Sequence, residues 1–385
     1  MGDKETYTEV TKTSWLQRLG GSIKSVGVGF LLFIAAFPVL WKNEGCAVKV
    51  AQGLTQGAAE VISLPEPKVD FANNGKLIHF YGDAVTDEVL KDPVLGISEK
   101  AIRIARSVQM YQWKEITKSK TEKKLGGSTE TTTEYTYEKV WSDNVINSDS
   151  FKYNQGHSNP KAMAIPSQTF QAKNVKVGDF VLNDELISQI QGGEAIAVDA
   201  SKVAKEYAGL AKQLGNEIYI GNDPNNPQIG DLRISCQVVR APQKVSVIAQ
   251  QQGNYLSPFL TKTKTTIQML HTGIVSADLM FQEAQESNTI RTWMVRLLGF
   301  GLMFFGLMMI LKPLVTLGDV VPFIGSILHF GTGVVSFIIA FSLSLIVIAI
   351  AWIAARPLLA IILLIIGIGA FITLKVLSTK KTASA

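Results

Sequence analysis

The sequence predicts a multi-pass α-helical membrane protein carrying one large α+β or mainly-β extramembranous domain. Three observations predict it. Neither Ser25 to Trp41 nor Leu297 to Leu311 contains a charged residue. Pro313 to Leu374 holds only Asp319 and Arg356 as acid or fixed base, with His329 beside them. Between these apolar ends lie about 250 polar, strand-like residues, enough for a proper core. A helix needs roughly 20 apolar residues to cross a hydrocarbon core, and soluble domains rarely bury such runs.

Four spans are expected, one N-terminal and three C-terminal. Residues 1–21 form the N-terminal segment and 22–41 the first span. Lys4, Lys12, Arg18 and Lys24 flank its start, and Lys375, Lys380 and Lys381 follow the last span. Cations in short flanks mark the cytoplasmic side, so both termini are expected there and the number of spans is even. Arg291 and Arg296 oppose this orientation. Residues 42–294 then form a domain on the other side, lumenal in a eukaryote or periplasmic in a bacterium. The second span, 295–312, stops at Lys312-Pro313. Residues 313–329 are too apolar for an ordinary loop but are broken by Gly318, Pro322 and Gly325. A re-entrant or interfacial segment is expected, since irregular backbone at membrane depth must be buried in protein or line a watery cavity. The third span, 330–355, and the fourth, 357–375, meet at Arg356-Pro357, where proline favours a new helix start. Residues 376–385 are a basic tail.

Within the domain, Lys76 to Gly82 follows the turn signal Asn73-Asn74-Gly75 and reads as a strand. Residues 103–118 and 129–141 read as a long hairpin with an exposed, solvated tip at Gly126-Gly127. Residues 231–240 and 244–251 read as a second hairpin turning at Ala241-Pro242, and Thr261 to Met269 continues the sheet. Helices are expected at 178–191 and 199–214.

Clustered basic residues are missing, so no nucleic-acid partner is expected. The two cysteines, Cys46 and Cys236, have no metal-type spacing. A bridge between them and two unpaired thiols both remain open. No Walker loop, GxSxG or HExxH occurs. No catalytic residue, metal site or cofactor is therefore expected, and the chain is not read as an enzyme. The polar residues in or beside the spans are Asp319, His329, Ser342 and Arg356. Either Asp319, His329 and Arg356 meet in a membrane cavity, or Asp319 and Arg356 mark the two membrane surfaces. Ser342 either bonds across helices or back to its own helix. Asp231 and Arg233 share a strand face and are candidates for an ion pair.

Several segments resemble one family. They are Val108-Gln109-Met110-Tyr111-Gln112-Trp113, the run from Gly156 through His157, Asn159 and Pro160 to Ala164, and Gly230-Asp231-Leu232-Arg233. Trp41-Lys42-Asn43-Glu44-Gly45, Gly253 to Phe259 and Arg356-Pro357-Leu358 fit as well. In this order, from first span to last, they are similar to the LUMA family, also called transmembrane protein 43. The resemblance implies four spans, a lumenal domain and cytoplasmic or nucleoplasmic termini. In animals it implies the endoplasmic reticulum and inner nuclear membrane, lamin and emerin partners, a part in nuclear-envelope organisation, and self-association. Bacterial members exist too, and there the inner membrane is implied without those partners. The chain lacks an Asn-x-Ser/Thr sequon, which suits a bacterial member somewhat better. The motif residues Tyr111, Trp113, His157, Asn159, Pro160, Asp231 and Arg233 are expected to be structural.

The function expected is a non-enzymatic membrane scaffold that contacts lipids, self-associates and binds partners through its large domain. The alternative is a transport, channel or lipid-handling protein using the C-terminal three-helix region. An enzyme at the membrane surface would require residues such as His79, His157, Asp231 and Arg233 to cluster in one cleft.

Overall fold

A computed structural model describes residues 5–353, 361–369 and 372. Among the described residues up to 353, eighteen strands and four α-helices follow in chain order. β1 is Glu5–Thr13, and α1 is Trp15–Glu60. Then come β2 (Ile62–Ser63), β3 (Leu77–Val85), β4 (Val89–Asp92), β5 (Ile97–Lys123) and β6 (Thr129–Ser142). Short strands follow: β7 (Gln168–Gln171), β8 (Lys176–Val177) and β9 (Phe180–Val181), and after them α2 (Asp184–Gln189). β10 (Glu194–Ile196), β11 (Ala211–Leu214) and β12 (Glu217–Ile220) lead into β13 (Leu232–Arg240) and β14 (Gln243–Gln252). β15 (Tyr255–Ser257), β16 (Phe259–Leu260), β17 (Thr266–Ile267) and β18 (Met269–Thr272) precede α3 (Ala277–Gly318) and α4 (Pro322–Trp352).

The chain divides into two compact units. The strand-rich unit contains residues 5–7, 53–117 and 134–283. The helical unit contains 8–52, 118–133 and the described residues from 284 on. Within 42–294, residues 42–52, 118–133 and 284–294 group with the helical unit, so α3 begins in the strand-rich unit and continues in the helical one.

In the strand-rich unit one sheet follows the order β6-β5-β13-β12-β11 from its β6 side, with β10 on β13 and with β4 and β7 on β5. The other sheet runs β14-β15-β9-β8-β3, and β3 pairs again with β14. That circuit closes on itself, with β18 added on β14 and β2 on β3. One apolar core joins residues of both sheets, including Ile78, Phe80, Ile104, Val108, Phe180, Ile234 and Val247. Phe80 and Phe180 stack with centroids 4.6 Å apart. Period-two alternation is clean along β13, whose Leu232, Ile234, Cys236 and Val238 are all buried.

Three expectations for this unit are overturned. Residues 178–191 hold β9 and, as helix, only the six-residue α2. Residues 199–214 hold one 3₁₀ turn and then β11, with no α-helix. β11 pairs with β12 through Gly215-Asn216, Leu214 facing Glu217, and Gly215 adopts φ +61°. Finally, β13 and β14 are not a hairpin. β13 is flanked by β5, β12 and β10, and β14 by β3, β18 and β15, so neither has an edge left for the other. Cys236 is buried and unpaired, and Cys46 is an exposed free thiol.

In the helical unit α1 begins with a reciprocal cap. Ser14 Oγ accepts from Gln17 N at 3.3 Å, and Gln17 Oε1 accepts from Ser14 N at 3.1 Å. α4 begins with Pro322 in its first turn, where the missing N–H costs nothing. α1, α3 and α4 are each long and apolar enough to cross a membrane. Residues 361–369 are helical where the fourth span is expected. Arg356 and the terminal lysines lie outside the described residues. Pro313 does not end α3, which continues to Gly318, and α4 starts four residues later. Most of the 313–329 segment is thus regular helix.

The helices meet through Ala36, Leu40, Met303, Ala340 and Val347, ringed by Phe33, Phe37, Phe300 and Phe304. α1 and α3 touch backbone to backbone at two glycines. A Cβ on Gly29 would lie 2.7 Å from the carbonyl of Gly306, and a Cβ on Gly306 2.7 Å from that of Gly29. Small residues permit this approach, and packing rather than the hydrophobic effect holds helices together in lipid.

Candidate functional site

The most elaborate polar cluster of the helical unit joins three helices. Glu44 on α1 is fully buried. Arg296 on α3 grips it in a fork, Nε to Oε1 at 2.7 Å and Nη2 to Oε2 at 2.8 Å. Trp352 near the end of α4 donates its indole N–H to Oε2 at 2.6 Å. The guanidinium lies over Trp293 at 4.6 Å and Trp352 at 5.2 Å, so cation–π attraction adds to the pairing. Asn43 donates to the backbone oxygen of Thr292 at 3.2 Å, and Asn288 to that of Ala47 at 3.0 Å. A cavity of about 270 Å³ opens beside the pair, lined also by Val48, Gln285 and Thr289. A bidentate carboxylate–guanidinium pair is directional and fixes helix rotation as well as contact.

The second cluster lies where α1 begins and α3 ends. Asp319 is 1% exposed. It accepts from Arg18, and from Lys123 Nζ at 2.6 Å. Gly325 sits against its carboxylate, and a Cβ there would collide with Oδ1. Residues 118–126 of the hairpin tip are exposed, as expected, and Gly126 and Gly127 reach this cluster. Gly126 N donates to Val320 O at 3.1 Å, and Trp15, packed on Gly127, donates its indole N–H to Thr316 O at 2.8 Å.

The two clusters bracket the apolar part of each helix. On α1, Arg18 and Glu44 are separated by about 39 Å of helix, and Arg296 on α3 and Asp319, the residue just after it, by about 35 Å. These lengths match a hydrocarbon core of roughly 30 Å with its interfacial margins. Of the polar residues expected near the spans, Asp319 and exposed His329 line one cavity. Ser342 is buried on α4, away from the residues lining that cavity. Its hydroxyl makes no hydrogen bond among the described residues. Gly367 packs closely on it, with a built Cβ 3.1 Å from the Ser342 carbonyl.

The motif residues of the strand-rich unit converge into two structural ties. Asn159 imitates a neighbouring strand: Oδ1 accepts from Trp113 N at 2.7 Å, and Nδ2 donates to Trp113 O at 2.9 Å. Pro160 then covers Gly230, whose φ is +99°. His157 is 1% exposed, stacked on Tyr137 at 4.0 Å and edge-on to Trp113 at 4.8 Å. Its ring nitrogens face Tyr153 O at 2.9 Å and Glu5 Oε2 at 3.2 Å. Burial, with a hydrogen bond to Glu115, pushes the Tyr137 hydroxyl up to about 12. In the second tie Asp231 accepts from Tyr219 Oη and from Gln228 N. Arg233 lies 4.3 Å over the Trp141 ring, and Tyr111 meets that ring at 5.0 Å. Asp231 and Arg233 do not form an ion pair among those described, because each is already engaged.

His79 belongs to neither tie. It is buried between Ser63 Oγ at 3.3 Å and Val275 O at 3.0 Å. Burial holds its pKa below the ordinary value of 6.5. The neutral ring therefore contributes stability that is complete above the unfolded-state pKa near 6.5 and is lost as pH falls toward the lower folded-state value. Chemical unfolding of the protein is expected to show a midpoint that drops below about pH 6.5. His79→Gln is expected to flatten that slope, and an unchanged slope in the variant would assign it to other groups. Among the described residues no group of three or more His, Cys, Asp or Glu is placed to hold a metal ion.

The family model for transmembrane protein 43 matches residues 110–357. Mouse transmembrane protein 43 is 33% identical over 364 residues, covering 92% of this chain and 90% of the relative. The human protein matches with the same identity and coverage. A Drosophila melanogaster homolog is 30% identical over 353 residues, covering 89% of this chain and 92% of its own. No solved structure matches.

Proposed function

Because this chain belongs to the transmembrane protein 43 family, we propose that it is a non-enzymatic membrane scaffold that self-associates and binds partners through its strand-rich unit. The observation that carries the reading is how the motif side chains are spent. Asn159 completes a strand ladder, His157 is stacked with both nitrogens engaged, and Asp231 is held by Tyr219 and a backbone amide. Groups so committed hold a shape, and a shape presented to other proteins is what a scaffold supplies. Fold likeness alone would not support this; the bonding of these particular residues does.

In this reading the end of the spans bearing Arg18 and Lys24 faces the cytoplasm or nucleoplasm, since cations in short flanks favour that side. The named relatives are animal proteins, which favours the endoplasmic reticulum and inner nuclear membrane, with lamins and emerin as partners. The test is the mass of the purified protein in nanodiscs, by light scattering with the lipid mass subtracted. A defined oligomer is expected. A strict monomer at micromolar concentration, with no cross-linked species in cells, overturns self-association. The alternative of transport, channel or lipid handling rests on the 313–329 segment with Asp319, His329, Ser342 and Arg356; of these, Asp319 is paired with Arg18 and Lys123.

A further inference from the structure

The Asp319 cluster opens into a cavity of about 330 Å³. Its lining holds the fixed cations Arg18, Lys123 and Lys312 against the single carboxylate of Asp319, with His329 at the side. Arg18 and Lys123 both contact Asp319. One carboxylate cannot offset both, and Lys312 is exposed with no ion-pair partner among the described residues. The cavity therefore has a surplus of two fixed positive charges. Its other wall is apolar, formed by Phe305, Met308 and Met309 of α3. Phe305 is 60% exposed on the lipid-compatible face of that helix. Thr316 and Thr332 add hydroxyls on α3 and α4.

Cationic above and apolar along the helix is the arrangement that fits a lipid with a charged head. We propose that this cavity binds the phosphate headgroup of an anionic glycerophospholipid, with Lys312 and His329 on the headgroup and the acyl chains along Phe305 and Met309. Arg18 and Lys123 play a double part. They hold Asp319 and still present positive charge to the cavity. The choice of a lipid over a free anion follows from the apolar wall, because inorganic phosphate gains nothing from phenylalanine and methionine. The site does not require self-association, so it stands whether the protein is a monomer or an oligomer.

The test is native mass spectrometry of the full chain released from a neutral detergent, titrated with phosphatidylglycerol, with phosphatidylcholine of the same chain length, and with inorganic phosphate. Phosphatidylglycerol is expected to bind tightest. A juxtamembrane cation contributes about a fivefold change in affinity, so Lys312→Gln should weaken phosphatidylglycerol about fivefold and leave phosphatidylcholine unchanged. Lys312 has no ion pair to lose, which protects the fold in this variant. A thermal unfolding curve matching the parent verifies that. Lys24→Gln, a cation outside the cavity lining, should bind phosphatidylglycerol as the parent does. Equal affinity for the two lipids overturns the proposal, as does an unaltered phosphatidylglycerol affinity in Lys312→Gln. Binding of inorganic phosphate as tight as that of phosphatidylglycerol also overturns it, by showing a simple anion site.

Discussion

Glu44→Ala is expected to destabilise the helical unit by about 3–5 kcal/mol, the range for removing one partner of a buried ion pair. Arg296 would keep its charge with only 13% of its side chain exposed, and Trp352 would lose the acceptor for its indole N–H. Arg296→Ala should cost a similar amount, because Glu44 is then a lone carboxylate at 0% exposure. The double variant should cost much less than the sum, since the residues in contact are coupled. Exchanging the two, Glu44→Arg with Arg296→Glu, should rescue poorly. The tryptophan N–H would then point at a guanidinium that cannot accept. Reversible unfolding in bicelles, followed by helical ellipticity, measures all four variants. A Glu44→Ala effect under 0.5 kcal/mol would mean that water reaches the pair and that the three-helix tie is weak.

Gly306→Val is the second substitution with a large expected effect. The new Cβ would stand 2.7 Å from the Gly29 carbonyl and 2.8 Å from the Phe33 amide nitrogen. Both are backbone atoms of α1 and have no rotamer with which to escape. The helices must separate, and overpacking of this kind costs about 1–3 kcal/mol. The separation also pulls on the contacts of Phe33 and Phe304 in the same cluster. Gly301 provides the control on the same helix, with open space where its Cβ would go. Gly301→Ala should be neutral or stabilising by up to about 1 kcal/mol, from helix propensity alone. If both variants melt alike, the close approach of α1 and α3 is not what holds them.

What the sequence made legible was whatever rests on local pattern. The apolar runs announced α1, α3 and α4, because hydrocarbon tolerates no alternative composition there. β3, β5 and β6 were readable from alternation and from the Gly126-Gly127 turn. The failures have physical causes. Residues 199–214 have helix-like lysine spacing, but Leu214-Gly215-Asn216-Glu217 is a two-residue hairpin turn, and its pairing with β12 wins. Ala241-Pro242 looks like a hairpin turn, yet the strands on either side find other neighbours. At the site, Asp319 was visible as a charge in an apolar run. Glu44 was not, because an acid just beyond a span is ordinary. Only the fold shows that it meets Arg296, 252 positions later in the chain.

That separation sets a schedule for biosynthesis. When α1 leaves the ribosome, neither Arg296 nor Asp319 has been made. At about 5–20 residues per second, the 252 residues between Glu44 and its partner take roughly 13–50 seconds to synthesise. The interval to Asp319, 301 residues after Arg18, is longer still. For that time Glu44 lacks its guanidinium partner and Arg18 lacks its carboxylate. Both ion pairs close only once Arg296 and Asp319 have been made, so these contacts of α1 form late in synthesis. Any truncation before α3 leaves Glu44 without Arg296 and Arg18 without Asp319.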